Sequence, residues 1–162
     1  MMKFFDDIRV GDRVALGSHY FTAEEIKTFA RQYDPQPFHV DEAEGARSHF
    51  GALVASGWQT AAVWMRKMVD YRKDEAEVLR ARREPVPLIG PSPGFRDMRW
   101  HKPVFAGDTI VYATEVVSAR ISQSRPQWGL TGLLNSGANQ HGEPVISFIS
   151  TAFIERRGTS GS

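Results

Sequence analysis

The chain has 162 residues, with twenty Lys and Arg against nineteen Asp and Glu, a net charge of +1 and no cysteine. That length suits one ordinary domain with a core that needs no covalent staples, and the balanced charge gives no global field to draw nucleic acid or a membrane surface. Disulfides and thiolate chemistry are excluded, and the five histidines lack zinc-ligand spacing, so neither a metal nor a redox cofactor is expected.

The opening residues Met1-Met2-Lys3-Phe4-Phe5-Asp6-Asp7 lack the apolar run and cleavage site of a secretory signal. No stretch approaches the apolar length of a membrane span, and a cytoplasmic protein is the expectation. Val10 to Tyr20 reads as an N-terminal strand. Thr22 and Glu25 then form a capping box, and Ile26, Phe29, Ala30 and Tyr33 recur at helical spacing, which predicts an amphipathic helix from Ala23 to Tyr33.

The next stretch, Asp34-Pro35-Gln36-Pro37-Phe38-His39, carries a carboxylate and an imidazole around two prolines. Each proline pushes the residue before it out of the helical region, so the helix must stop here and Asp34 and Gln36 become extended. A stiff loop can hold an acid and a base at a defined separation, as water activation requires. Asp41 to Arg47 is expected to form a short helix, followed by a break at Phe50-Gly51.

Ala52-Leu53-Val54-Ala55-Ser56-Gly57 opens a segment in which Trp58, Ala61, Ala62, Val63, Trp64, Met65, Met68 and Val69 are apolar nearly all round, the pattern of a buried helix. From Asp70 to Glu84 charges of both signs dominate, including the run Arg80 to Arg83, and predict a solvated helical extension. Pro85, Pro87, Gly90, Pro91, Pro93 and Gly94 then forbid regular structure until about Phe95.

The second half is β-rich. Arg96 to Val104 alternates, Gly107-Asp108 makes a turn, and Thr109 to Ile121 is a long β-branched run. Trp128 to Asn135 and Val145 to Ile154 form a hairpin about Asn139-Gln140-His141-Gly142, the second strand apolar on both faces. Helices first and then a meander of about four strands, with Val10 to Tyr20 added, make an α+β domain with an antiparallel sheet. A strongly curved sheet wrapped round the apolar helix would bury it. The domain is read as residues 1–157, with a polar tail over 158–162 that frays.

Asp34, Pro37 and His39, followed by Val40-Asp41, resemble the Asp-x-x-Pro-x-His loop of the MaoC-like acyl dehydratases and (R)-specific enoyl-CoA hydratases. Two further stretches are similar to the same family in the same order: the small-residue approach from Ala52 to Gly57, and Met98 to Thr109 with its terminal Gly-Asp-Thr. The resemblance implies a hot-dog fold, a curved antiparallel sheet round a central helix, in at least a homodimer. It also implies interconversion of trans-2-enoyl and (R)-3-hydroxyacyl thioesters of CoA. The family commonly has a small residue and Gly before the Asp and an Asn two residues after it. Here stand Gln32-Tyr33 and Gln36: the longer amide and a Tyr33 that narrows the approach bear on the acyl group.

In that reading Asp34 and His39 share one water as the acid–base pair, and either can be the formal base. Gly57, at the first turn of the buried helix, offers an unpaired N–H to the thioester oxygen with the dipole behind it. Gln36, Tyr33 and Trp58 are the expected substrate-binding residues, although Trp58, Trp64, Met65 and Met68 also fit a core stripe. Lys102, Arg120 and Arg125 are candidates for the phosphates of CoA or an acyl-carrier arm. His49, His101 and His141 read as loop, strand-surface and turn residues. Two other functions fit the same residues: a thioesterase that directs water to the thioester carbonyl, and a non-catalytic acyl-thioester binding protein or inactive partner subunit.

Overall fold

The computed structural model describes residues 2–158, so Met1 and residues 159–162 of the tail lie outside the described residues. In chain order the elements are a 3-10 turn (Phe5–Asp7), β1 (Arg13–Tyr20), α1 (Ala23–Tyr33), α2 (Pro37–Val40), α3 (Glu42–Arg47), α4 (Gly57–Ala81), β2 (Phe95–Trp100), β3 (Thr109–Ile121), β4 (Trp128–Ala138) and β5 (Pro144–Glu155). Among the described residues, no helix is long and apolar enough to cross a membrane.

Local chemistry sets the helix ends. Thr22 Oγ1 accepts from the Glu25 N–H at 3.2 Å, which satisfies a donor of the first turn of α1. The Glu25 carboxylate does not complete a capping box; it meets His19 Nε2 at 2.6 Å and ties α1 to β1. Asp41 caps α3 by accepting from the Glu44 N–H at 2.9 Å. The proline stretch is tighter than a stiff loop. Gln36 is extended and Pro37 starts a single helical turn, where its missing N–H costs nothing.

The strands form one antiparallel sheet in the order β1-β3-β4-β5-β2. The expected meander is therefore wrong at one point, because β2 lies beside β5 at the far edge and not beside β3. Apolar residues on both faces of β5 explain the placement: Val145 and Ile146, adjacent in sequence, are both fully buried, which a strand at the open edge would not allow. Register shifts interrupt the β1–β3, β3–β4 and β2–β5 pairings, and bulges of this kind bend a sheet.

The sheet curves round α4. Trp64 and Met68 of α4 join Leu16, Ile110, Tyr112 and Phe148 in the core, with the Trp64 and Phe148 rings edge to face at 4.7 Å. The helix is not buried all round, because the sheet wraps only one side: Trp58, Met65 and Val69 are 54%, 52% and 50% exposed. Beyond Asp70 the helix continues as expected, with Ala76 and Leu79 buried and Arg80, Arg82 and Arg83 in solvent.

The segment leading into α4 is held from several sides. Val54 N–H donates to Phe38 O at 3.3 Å, Ala55 N–H to Val104 O at 2.8 Å, and Leu53 O accepts from Ala106 N–H at 3.2 Å. α3 lies against it so closely that a Cβ on Gly45 would stand 2.7 Å from Leu53 N and 2.8 Å from Ala52 C and O. Backbone cannot swing aside as a side chain can, so Gly45→Ala is expected to destabilise the fold by about 2–3 kcal/mol in urea unfolding. A variant as stable as the parent protein would show that this contact is not a constraint.

Candidate active site

Four elements converge on one cleft. Asp34 is the C-cap of α1, its N–H still donating to Ala30 O at 2.9 Å while its φ of −154° and ψ of 68° turn the chain out of the helix. His39 sits on α2, 6% exposed. Ser56, fully buried, is the N-cap of α4, and Gly57 is its first residue. Trp100 closes β2 and brings its indole over the start of α4.

Each oxygen of the Asp34 carboxylate has a donor. Ser56 Oγ donates to Oδ2 at 2.7 Å, and Gln36 Nε2 donates to Oδ1 at 2.9 Å. Burial pushes the Asp34 pKa up, but these two hydrogen bonds and the nearby His39 outweigh it and hold the carboxyl below the usual carboxylate range. Asp34 is therefore ionised at neutral pH.

His39 is oriented from behind. Its Nδ1 lies 2.7 Å from Val54 O, which can only accept, so Nδ1 carries the proton and in the neutral ring Nε2 keeps its lone pair. Nε2 stands 3.5 Å from Asp34 Oδ2. That exceeds a normal N–H···O bond, and one water oxygen can lie within hydrogen-bonding distance of both atoms.

The cleft encloses about 430 Å³ and is lined by Asp34, Gln36, His39, Gly57, Trp58 and Trp100, among others. A Cβ on Gly57 would stand 2.6 Å from Trp100 Cε2, so only glycine leaves space there for the indole. Trp100 in turn meets Trp58 edge to face at 5.3 Å. Gly57 heads the 25 residues of α4, whose aligned dipoles favour negative charge at this end.

The sequence-predicted residues divide clearly. Asp34, His39, Gly57, Gln36 and Trp58 come together, although Gln36 grips Asp34 with its amide. Tyr33 does not reach the cleft; it packs on Phe29 at the end of α1 and is 64% exposed, so it does not narrow the approach. Lys102 and His101 line the cleft, Lys102 paired with Glu143 and His101 Nε2 2.7 Å from Ser147 Oγ. Arg120 and Arg125 do not, the latter lying over the Phe153 ring. His49 stacks on Phe50 and His141 sits in the β4–β5 turn, both away from the pair.

Ser56 is the residue that the sequence reading passed over. Its position just before the apolar run marks it as an N-cap, and Trp58 N–H does donate to Ser56 Oγ at 3.2 Å. Its second partner, Asp34, lies 22 residues away in sequence, and no local signal announces that bond.

The description "MaoC like domain" belongs to the family model that matches residues 9–131. A MaoC-like dehydratase from Rhodospirillum rubrum is 35% identical and superposes with a TM-score of 0.79, over 96% of this chain and 98% of that one. A conserved hypothetical protein of Mycobacterium tuberculosis with a double hotdog fold, 19% identical, covers 99% of this chain and 46% of its own with a TM-score of 0.70. Mesaconyl-CoA hydratase from Cereibacter sphaeroides is 33% identical over 67 residues, 41% of this chain and 19% of that protein. With the family model spanning β1 through the first part of β4 and the fold that of the hot-dog proteins, the chain belongs to the MaoC-like dehydratase family.

Proposed function

We propose that this protein is an acyl-thioester hydratase or dehydratase that interconverts trans-2-enoyl-CoA and (R)-3-hydroxyacyl-CoA. The observation that carries the reading is the convergence of Asp34 Oδ2 and His39 Nε2, 3.5 Å apart, both fixed from behind and both beside the start of α4. The relationship to a mesaconyl-CoA hydratase supports a CoA thioester as substrate.

In the hydration direction, one water donates its two hydrogens towards the Asp34 carboxylate and the Nε2 lone pair. Its oxygen attacks C3, one of its protons passes to the pair, and the C2=C3 π electrons move into an enolate on the thioester. The Gly57 N–H and the α4 dipole stabilise that oxygen, a contribution of about 3–4 kcal/mol for a single well-placed donor. The pair then returns a proton to C2, so the elements of water are added with no net change in the enzyme. These residues supply every group that the step uses, without a metal or redox cofactor.

Two features of the surface support assembly as a homodimer or larger homo-oligomer. Trp58, Met65 and Val69 leave an apolar stripe along α4, and β2 pairs on one side only, with β5, leaving its other edge open. A second copy set against both would cover the stripe and satisfy the strand edge.

Crotonyl-CoA and a longer enoyl-CoA given to the purified protein are expected to lose the enoyl absorbance without release of free CoA. Free thiol without hydration would mean a thioesterase, and binding without either product a non-catalytic module. Asp34→Asn and His39→Ala are each expected to lower kcat by at least about 100-fold while the circular dichroism spectrum stays unchanged. Near-parental turnover in either variant would remove that residue from the chemistry.

The pH dependence tests the role of Ser56. Asp34 works as the carboxylate, and its pKa is held below the usual carboxylate range. Deleting a donor to the charged form raises that pKa. Ser56→Ala is expected to move the titration of the Asp34 carboxyl, followed by ¹³C NMR of the side chain, to higher pH, and an unmoved titration would show that the hydroxyl does not tune Asp34.

A further inference from the structure

A second cavity of about 170 Å³ lies between the middle turns of α4, the sheet and the N-terminal segment, and it shares no lining residue with the cleft. Its walls are largely apolar, with Val14, Met68, Ile89, Val116 and Leu133 among them. The polar groups that line it include Arg13, Tyr71, Arg72 and the ion pair of Lys3 with Asp12 at 2.8 Å. Asp12 is the only carboxylate in the lining, and it is already held by Lys3 and the Arg9 N–H.

Two polar groups that line this cavity have no partner among the described residues: one is a buried hydroxyl and the other a half-buried guanidinium. The Tyr71 hydroxyl is buried with no hydrogen-bond partner. Burial, helped by the Glu75 carboxylate, pushes its pKa up to about 12, so it remains a neutral O–H donor. Arg72 has no carboxylate partner among the described residues, and burial alone pulls its pKa down. A guanidinium keeps its charge in proteins all the same. A half-buried cation and a buried, unpaired donor line one cavity, and one bound anion would serve both.

We propose that this cavity binds a small monocarboxylate with an apolar tail. The carboxylate pairs with the Arg72 guanidinium, whose planar fork suits it, and accepts from the Tyr71 hydroxyl. The tail lies against Met68, Val116 and Leu133. An engineered apolar cavity of about 150 Å³ holds benzene, so the space here fits a tail of about five or six carbons. The site is separate from the hydration chemistry and does not depend on it.

The full chain titrated with hexanoate by calorimetry is expected to show saturable one-to-one binding. Acetate, which lacks the tail, and hexan-1-ol, which lacks the charge, are expected to bind at least about tenfold more weakly. Arg72→Met should weaken hexanoate by at least about tenfold. Tyr71→Phe removes only an unpartnered hydroxyl and keeps the fold, and it should weaken hexanoate about threefold or more. His39→Ala in the cleft should leave hexanoate binding unchanged. The proposal is overturned by an absence of saturable binding at millimolar hexanoate, by binding indifferent to Tyr71→Phe and Arg72→Met, or by binding lost in His39→Ala.

Discussion

The hydrogen bond from Ser56 Oγ to Asp34 Oδ2, 2.7 Å long and out of contact with solvent on the serine side, joins the end of one helix to the start of another. Through it the last residue after α1 is locked to the N-cap of α4, and the same hydroxyl accepts from the Trp58 N–H. Without this bond the carboxylate would hang from a proline-bounded turn with only Gln36 to orient it. With it, the acid, the imidazole and the positive end of α4 share one frame, and none has to be found by a moving loop. Pre-organisation of that kind is where positioned acid–base and electrostatic catalysis obtain most of their effect.

The rest of the fold serves that junction. The sheet curves round one side of α4, so the helix acts as the core and also points its N-terminus into the cleft. Its other side stays apolar and open at Trp58, Met65 and Val69. In the proposed reaction Gly57 serves both packing and chemistry at the same place. Its missing side chain admits the Trp100 indole, and its N–H lies at the helix end where a developing oxyanion is favoured. Bulk at that position would act on packing and on chemistry together.

How much was legible in the sequence varies with how local the cause is. The bounds of α1 follow from a Thr cap at one end and prolines at the other, and the bounds of β3 follow a long β-branched run; both match the structure. The Asp34 and His39 pair was readable because two prolines write the geometry into six residues. The side of the sheet on which β2 falls was not readable, since it depends on which edge of β5 is open after the chain has crossed the molecule. Nor was the exposed stripe of α4, because composition does not say how far a sheet will wrap. Tyr33 looked close to the pair in sequence, yet a helical residue one position before the cap is turned away from it, against Phe29. The bond between Ser56 and Asp34 is the deepest miss and the most consequential one.

In the proposed reaction Asp34 and His39 deliver one water to C3 of an enoyl thioester. Incubation with crotonyl-CoA in ¹⁸O-labelled water, followed by mass spectrometry, tests it most directly. A single ¹⁸O is expected on C3 of an intact 3-hydroxybutyryl-CoA of R configuration. Label in the carboxylate of a released acid, or no label at all, would contradict it.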